Sequence, residues 1–201
     1  MTRLVVLLAI FLAITTTACG STVKTLDIKQ NPHPKMRYQI TLTIHDAPGQ
    51  FESVTGHVQY AITNERCAPE NPVAGVYLPP PNQYIPFVVT QVADNTYTGT
   101  VYLDLLQDED YFGKGVCHWA LAHAGMDLKA KETAFGTSIS LRDIVAQKPS
   151  TEYLSRTTYF DTLPADRRET GIPVGTPASE YAHKNPQRFF SATLTAKEHL
   201  E

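Results

Sequence analysis

The residues best suited to chemistry are four carboxylates near the middle of the chain, Asp104, Asp108, Glu109 and Asp110. Hard cations such as Ca²⁺ bind carboxylate oxygens, so this cluster is a candidate calcium site. Its spacing does not match the ligand positions of a known calcium loop, whereas Asp side chains in turns commonly accept hydrogen bonds from nearby backbone amides. We therefore interpret the cluster as a solvated turn and predict no metal here.

The histidines and serines form no recognisable catalytic or zinc motif. Seven histidines are scattered along the chain, and His118 and His123, five residues apart, are predicted to face opposite sides of one strand. The sequence contains no His-Glu-x-x-His, no paired-cysteine motif, no Gly-x-Ser-x-Gly elbow and no phosphate or dinucleotide loop. We therefore predict a protein that is not an enzyme and that carries no cofactor.

The amino terminus has the residue pattern of an export signal. Arg3 is followed by an apolar run of eleven residues, Leu4 to Ile14, and then by small residues. This pattern is typical of a secretory signal peptide, here residues 1–18, and the run is too short to span a bilayer.

Ala18-Cys19-Gly20 resembles the processing site of bacterial lipoproteins, in which a cysteine after a small residue is acylated and becomes the first residue. The resemblance implies a lipid on Cys19, and Gly20 rather than Asp at the next position implies sorting to the outer membrane. Thr16 stands where such signals usually carry Leu. The alternative is ordinary cleavage near Ala18, which would leave Cys19 as a spare thiol.

The remaining two cysteines, Cys67 and Cys117, are predicted to form a disulfide, since an oxidising periplasm allows one. Two buried free thiols are the alternative. A bridge that closes a loop of about 50 residues is worth about 4 kcal/mol in the chain-entropy model.

Charge and size restrict the classes of function. Without the signal peptide the chain loses one basic residue, Arg3, and keeps 16 basic and 20 acidic residues, a formal charge of −4. This mildly acidic balance argues against nucleic-acid binding, which needs a basic face. About 180 residues are enough for one domain with a substantial core.

Alternation of apolar and polar residues predicts strands throughout the mature chain. The clearest strand runs from Met36 to Asp46, with Tyr38, Ile40, Leu42 and Ile44 facing the core. Residues 97–123 predict two strands joined by an Asp- and Gly-rich turn, and we expect the other strands to pack onto this hairpin. Cys117, Trp119 and Leu121 should share the inward face of its second strand. Further strands are predicted over residues 57–63, 73–78, 86–92, 134–141 and 188–196.

These strands predict an all-β protein: an antiparallel β-sandwich, immunoglobulin-like in architecture, with little helix. We expect one domain over residues 36–201, preceded by a lipidated polar tether over residues 19–35. Residues 148–186 contain five prolines and are predicted to be rich in loops. A short helix fits residues 140–146.

Four motifs resemble those of small lipoproteins from Gram-negative bacteria. They are Cys67-Ala-Pro-Glu-Asn-Pro-Val-Ala-Gly75, Tyr97-x-Gly-x-x-Tyr102-x-Asp104, Asp110-Tyr111-x-Gly113-x-Gly115-x-Cys117-x-Trp119 and Asn185-Pro-x-x-Phe189-Phe-Ser. Some of these lipoproteins are immunity proteins against toxic effectors delivered between bacteria, including phospholipases of type VI secretion.

The resemblance implies a periplasmic lipoprotein, held at the inner leaflet of the outer membrane, that neutralises a toxic effector protein by direct binding. The alternatives are an envelope or secretion-machine lipoprotein without a toxin partner, and a lysozyme inhibitor. An enzyme acting on envelope lipid or glycan ranks last.

Loops at the end of a sandwich can vary without disturbing its core, so we expect the partner to bind there. Tyrosines are enriched at interfaces, and an acidic turn would suit a basic partner. The candidate partner-binding residues are Tyr77, Tyr84, Asp108, Glu109, Asp110 and Tyr111. The tyrosines fit the edge of the core equally well.

Overall fold

A computed structural model describes residues 26–160 and 178–199. The predicted signal peptide, Cys19 and the residues of the predicted tether before Leu26 lie outside the described residues, as do residues 161–177. The described helices are short, and none has the length and apolar character needed to cross a bilayer.

The described chain is built from eleven strands and three short helices. The strands are β1 (Arg37–His45), β2 (Ser53–Ile62), β3 (Glu70–Asn71), β4 (Val76–Tyr77), β5 (Gln83–Phe87), β6 (Val89–Ala93), β7 (Thr96–Tyr102), β8 (Trp119–Ala130), β9 (Thr133–Ser140), β10 (Ser150–Ser155) and β11 (Phe189–Glu198). The helices are α1 (Leu141–Val145), α2 (Arg156–Phe160) and α3 (Ala178–Lys184). Single 3₁₀ turns cover Glu65–Cys67 and Pro186–Arg188.

Two antiparallel sheets form the sandwich. One has five strands in the order β10-β11-β1-β7-β6, the other has four in the order β5-β2-β8-β9, and β3 and β4 form a separate small hairpin. The predicted all-β sandwich is confirmed.

The core lies between the two sheets and follows the predicted alternation. Tyr38, Ile40, Leu42 and Ile44 of β1 are all buried, as expected for strands with one face in a core. They meet the inward residues of the four-stranded sheet, which are buried side chains from three strands: Val58, Tyr60, Leu121, Ala124, Met126, Leu128, Phe135 and Ile139.

The prediction that residues 97–123 form a hairpin is wrong. β7 pairs with β1 and β6, so both of its edges are occupied, and β8 belongs to the other sheet between β2 and β9. The two strands face each other across the core, where Val101 and Leu121 are both buried. Residues 103–118 therefore form a connection between the sheets, not a turn within one sheet.

A similar crossing occurs earlier in the chain, where a single strand was predicted over residues 86–92. β5 ends at Phe87 in the four-stranded sheet, and β6 begins at Val89 in the five-stranded sheet. Pro86 is tolerated because β5 is an edge strand, where a missing ladder donor costs little. The predicted hairpin between β6 and the strand from Thr96 is confirmed.

Beyond β9, the described part of the carboxyl-terminal third contains two strands and three short helices. Ser140 ends β9 and caps α1 by accepting a hydrogen bond from the backbone N–H of Asp143 (3.2 Å), so the short helix is present. Within the stretch predicted to be rich in loops, β10 pairs with β11 along six residues. The predicted last strand corresponds to β11, which lies between β1 and β10.

Candidate functional site

Cys67 and Cys117 form the predicted disulfide and join two loops at one end of the sandwich. Their Cα atoms are 5.2 Å apart, and both residues are buried. The 3₁₀ turn that ends at Cys67 follows β2, and Cys117 lies two residues before β8. The bridge therefore links the segment after β2 to the segment before β8, and these two strands are neighbours in the four-stranded sheet.

Asn64 reinforces this junction with its side-chain amide. Its Nδ2 donates to the carbonyl of Val116 (2.8 Å), and its Oδ1 accepts from the backbone N–H of His118 (2.8 Å). The backbone N–H of Thr63 also donates to the His118 carbonyl (2.9 Å). The loops on either side of the bridge are therefore held by polar contacts as well as by the covalent link.

The four carboxylates do not converge on one point. Asp104 accepts hydrogen bonds from the backbone N–H groups of Lys35 and Met36, and Glu109 forms an ion pair with Lys29 (2.7 Å). Asp108 accepts from the backbone N–H of Trp119 (2.9 Å) and contacts Nδ1 of His118 (2.6 Å). Within the described residues, no cluster of three or more His, Cys, Asp or Glu side chains could hold a metal ion.

Asp110 behaves as the solvated-turn interpretation predicts. Desolvation tends to raise the pKa of its carboxyl group, but hydrogen bonds from the backbone N–H groups of residues 112–115 outweigh it, so the pKa is lowered from its ordinary value. The contact with Lys114 is 3.0 Å. Gly113 and Gly115 have positive φ angles (70° and 105°), which permit the tight turn around the carboxylate.

An apolar groove of about 600 Å³ opens beside this turn. Its walls include Met36, Leu103, Trp119 and Val145, and Asp108 lies on its rim. The Nε1–H group of Trp119 is buried and has no hydrogen-bond partner among the described residues, so an acceptor entering the groove could satisfy it. Sequence reasoning missed this groove because its walls come from four separate segments.

We call this part of the molecule the disulfide end. It comprises residues 62–78 and 103–119, together with Met36 and Val145, which line the same groove as Trp119.

Five of the six candidate partner-binding residues lie in the disulfide end. Tyr77 is half-buried in β4, where it pairs with Glu70. Tyr111 is also half-buried: its ring meets Trp119 edge-on at 6.4 Å, and its hydroxyl donates to the carbonyl of Gln107 (2.7 Å). Asp108 and Asp110 are exposed, and Glu109 is half-buried. Tyr111 therefore supports the core edge more than it offers a free ring.

Tyr84 does not lie in an end loop as predicted. It belongs to the edge strand β5 and pairs with Gln59, whose neighbours Val58 and Tyr60 point into the core. Tyr84 is therefore on the outer face of the four-stranded sheet, where it is exposed. β5 begins at Gln83, three residues before the predicted strand over residues 86–92, so Gln83 and Tyr84 join the ladder.

That outer face carries a histidine cluster that the sequence did not reveal. Nδ1 of His57 is 3.2 Å from a carboxylate oxygen of Asp127, and the rings of His57 and His123 are perpendicular at 6.3 Å. Burial and the neighbouring His57 lower the pKa of His123. A side chain at Gly125 would meet the His57 ring at 2.8 Å, so this glycine leaves the space that the ring occupies.

The prediction that His118 and His123 face opposite sides is also wrong. Leu121 and Ala124 are both buried although they are three residues apart, because the register of β8 against β2 shifts between them. An extra residue at this β-bulge reverses the alternation. His118 and His123 consequently both point away from the core.

Comparison of the chain with protein-family models, with curated proteins and with solved structures finds no match. The resemblance to immunity lipoproteins therefore stays a prediction made from the motifs quoted above.

Proposed function

We propose that this protein is a lipid-anchored periplasmic immunity protein that neutralises a toxic effector by binding it directly through the disulfide end. The observation that carries the proposal is the convergence there of five of the six candidate partner-binding residues, on loops that are cross-linked to each other. Type VI secretion effectors, and phospholipases among them, are the partners that the motif resemblance favours.

Rigidity of the loops supports tight binding. Ordering flexible loops on association costs free energy, so a surface already fixed by the Cys67–Cys117 bridge and by Asn64 loses less when it binds. An immunity protein must capture its toxin before the toxin reaches its substrate, which makes such preorganisation valuable.

Charge supports a basic partner surface. Asp108 lines the apolar groove, and Glu109 and Asp110 follow it in the chain. Lys29 pairs with Glu109 and His118 contacts Asp108, whereas the Asp110 carboxylate accepts from backbone N–H groups. Acidic residues on a rim accelerate association with a basic partner through electrostatic steering. The groove next to them offers a place for an apolar side chain of the partner, which is a common arrangement at interface hot spots.

A competition assay between sibling cells tests the proposal. Deleting the gene should make the cell sensitive to attack by siblings that deliver the effector, and periplasmic expression of the protein should restore survival. If deletion leaves the competition unchanged while the effector genes are intact and active, the protein is an envelope or secretion-machine component instead.

A pair of matched variants locates the surface. Glu109→Gln with Asp110→Asn removes two charges from the disulfide end, and both new side chains keep an acceptor oxygen. Asp94→Asn with Glu132→Gln makes the same changes in exposed turns far from the bridge. We expect only the first pair to weaken protection, and equal protection by both pairs would contradict a role for the acidic turn.

A further inference from the structure

The amino-terminal segment leaves the domain at the disulfide end. The backbone N–H of Asn31 donates to the carbonyl of Leu105 (2.7 Å), and the N–H of Gln107 donates to the carbonyl of Lys29 (2.9 Å). Because the two segments are antiparallel, the chain leading back from Asn31 runs toward Glu109. Glu109 pairs in turn with Cys117 of the bridge.

This exit limits the distance between the domain and its proposed anchor. Leu26 is seven residues after Cys19 in the chain, and seven residue steps span at most about 25 Å. β8 starts at the disulfide end and runs away from it for 12 residues, which corresponds to about 40 Å of strand. A lipid on Cys19 would therefore keep the disulfide end close to the membrane and the opposite end far from it.

The disulfide end also carries most of the exposed apolar side chains. Ten large apolar residues are exposed in the described part of the chain, and six of them lie in this end. These six are Met36, Val73, Val76, Leu78, Val116 and Val145. Single exposed apolar residues are ordinary on protein surfaces. A concentration of them at the end where the chain leads back to the proposed lipid anchor indicates contact with another apolar surface.

We propose that the disulfide end rests on the lipid bilayer and inserts its apolar side chains outside the groove, Val73, Val76, Leu78 and Val116, among the headgroups, as a second membrane contact beside the lipid on Cys19. The inference builds on the anchoring in the proposed function. The carboxylates Asp108, Glu109 and Asp110 in the same end oppose anionic headgroups, so the surface is suited to a zwitterionic membrane. Half-buried Tyr77 would lie at the headgroup level, where tyrosine is favoured.

This orientation makes the proposed partner more specific. A toxin that meets the disulfide end must do so at the bilayer surface, and a toxin that degrades phospholipid works there. The protein would then hold its binding loops at the level of the toxin's substrate and would not project them into the periplasm.

Vesicle flotation with the exported Cys19→Ser protein tests the contact without the covalent lipid. The probe is a vesicle of phosphatidylethanolamine and phosphatidylcholine. We expect part of the protein to float with these vesicles, and less of it to float when an anionic phospholipid replaces a third of the lipid. No flotation on the zwitterionic vesicles would overturn the proposal.

The chain offers a closely matched pair of variants. Val73→Asp with Val76→Asp changes two valines of the disulfide end that are 95% and 51% exposed. Val88→Asp with Val92→Asp changes two valines at the edge strand β6 that are 83% and 57% exposed. Since burial of apolar area drives insertion, the first pair should lower the bound fraction at least about tenfold, and the second should leave it unchanged.

Both double variants should unfold at the same temperature as the parent, because exposed substitutions change stability little. Equal loss of flotation by the two pairs would overturn the proposal. So would a Val73→Asp, Val76→Asp protein that floats normally but no longer protects cells, since the valines would then dock a protein. A parent protein that floats but protects no sibling leaves the membrane contact standing and removes the immunity function.

Discussion

The two ends of the sandwich are closed in different ways. At the end opposite the bridge, Phe51, Phe135, Tyr159 and Phe190 bring their rings together between the sheets, and we call this group the aromatic end. Phe135 stacks on Tyr159 at 6.5 Å with a 19° tilt, and Phe190 meets Phe135 edge-on at 5.5 Å. The disulfide end has one covalent bridge, several side-chain-to-backbone hydrogen bonds and an open groove.

The difference shows how a sandwich can keep one end available for binding. Rings that fill the space between two sheets stabilise the folded state through the apolar area they bury. A disulfide stabilises mainly by restricting the unfolded chain, so it can stabilise this end beside exposed carboxylates and a groove. We therefore expect substitutions at the aromatic end to affect stability, and many at the disulfide end to affect binding.

The largest loss of stability should come from the aromatic end. Phe190 is only 2% exposed, and Phe190→Ala should lower the free energy of unfolding by about 3–5 kcal/mol through lost burial and a residual cavity. Urea denaturation measures the change. Phe160→Ala is the control, because its ring is 57% exposed, and its loss should be much smaller. Equal losses would show that the ring cluster does not close this end.

Removing the bridge should have the next largest effect. The Cys67→Ala, Cys117→Ala protein should lose about 2–4 kcal/mol, since the unfolded chain regains the entropy of an open loop of 50 residues. Denaturation of the parent with and without a reductant should give the same difference. A loss below 1 kcal/mol would mean that polar contacts alone hold the disulfide end.

Sequence reasoning recovered much of this fold because strand alternation and cysteine number are local signals. β1 was predicted with all four inward residues, and Trp119 was predicted beside the bridge in the core. The sheet to which each strand belongs is not a local property, so β7 and β8 were wrongly paired. The bulge in β8 was missed because one extra residue leaves no distinctive composition.

The candidate site was predicted only in part, for the same reason. The acidic turn and the bridge are contiguous in sequence and were found, whereas the groove beside Trp119 is assembled from distant segments. The aromatic end also escaped prediction. Phe51, Phe135 and Phe190 are far apart in the chain, and nothing in the sequence indicates that they meet.

Substitution of Asn64 should lower the free energy of unfolding by a smaller amount. It tests whether hydrogen bonds stabilise the two loops that the bridge joins. Asn64→Ala removes one donor and one acceptor, and the loss should be about 1 kcal/mol. Asn64→Asp keeps the acceptor for the His118 N–H and should lose less. Combined with loss of the disulfide, Asn64→Ala should show a non-additive effect in unfolding measurements, because both act on the same two loops. Strictly additive losses would show that Asn64 and the disulfide stabilise the protein independently.

The smallest effect should be a local response of the disulfide end to acid. The pKa of Asp110 is lowered from 3.8 when folded, although desolvation alone would raise it, because backbone N–H groups stabilise the ionised carboxylate. A lowered folded pKa means that the stabilisation is present above the unfolded pKa, near 3.8, and is lost as the pH falls through the folded value.

Hydrogen exchange of the Lys114 amide, which donates to Asp110, should therefore show weaker protection below about pH 4. Asp110→Asn should remove that pH dependence, since its amide does not ionise. The phenylalanine rings of the aromatic end do not titrate, so protection of the amide of buried Phe190 should change much less over the same range. Parallel acid-induced loss at both ends would indicate global unfolding and would contradict a local role for Asp110.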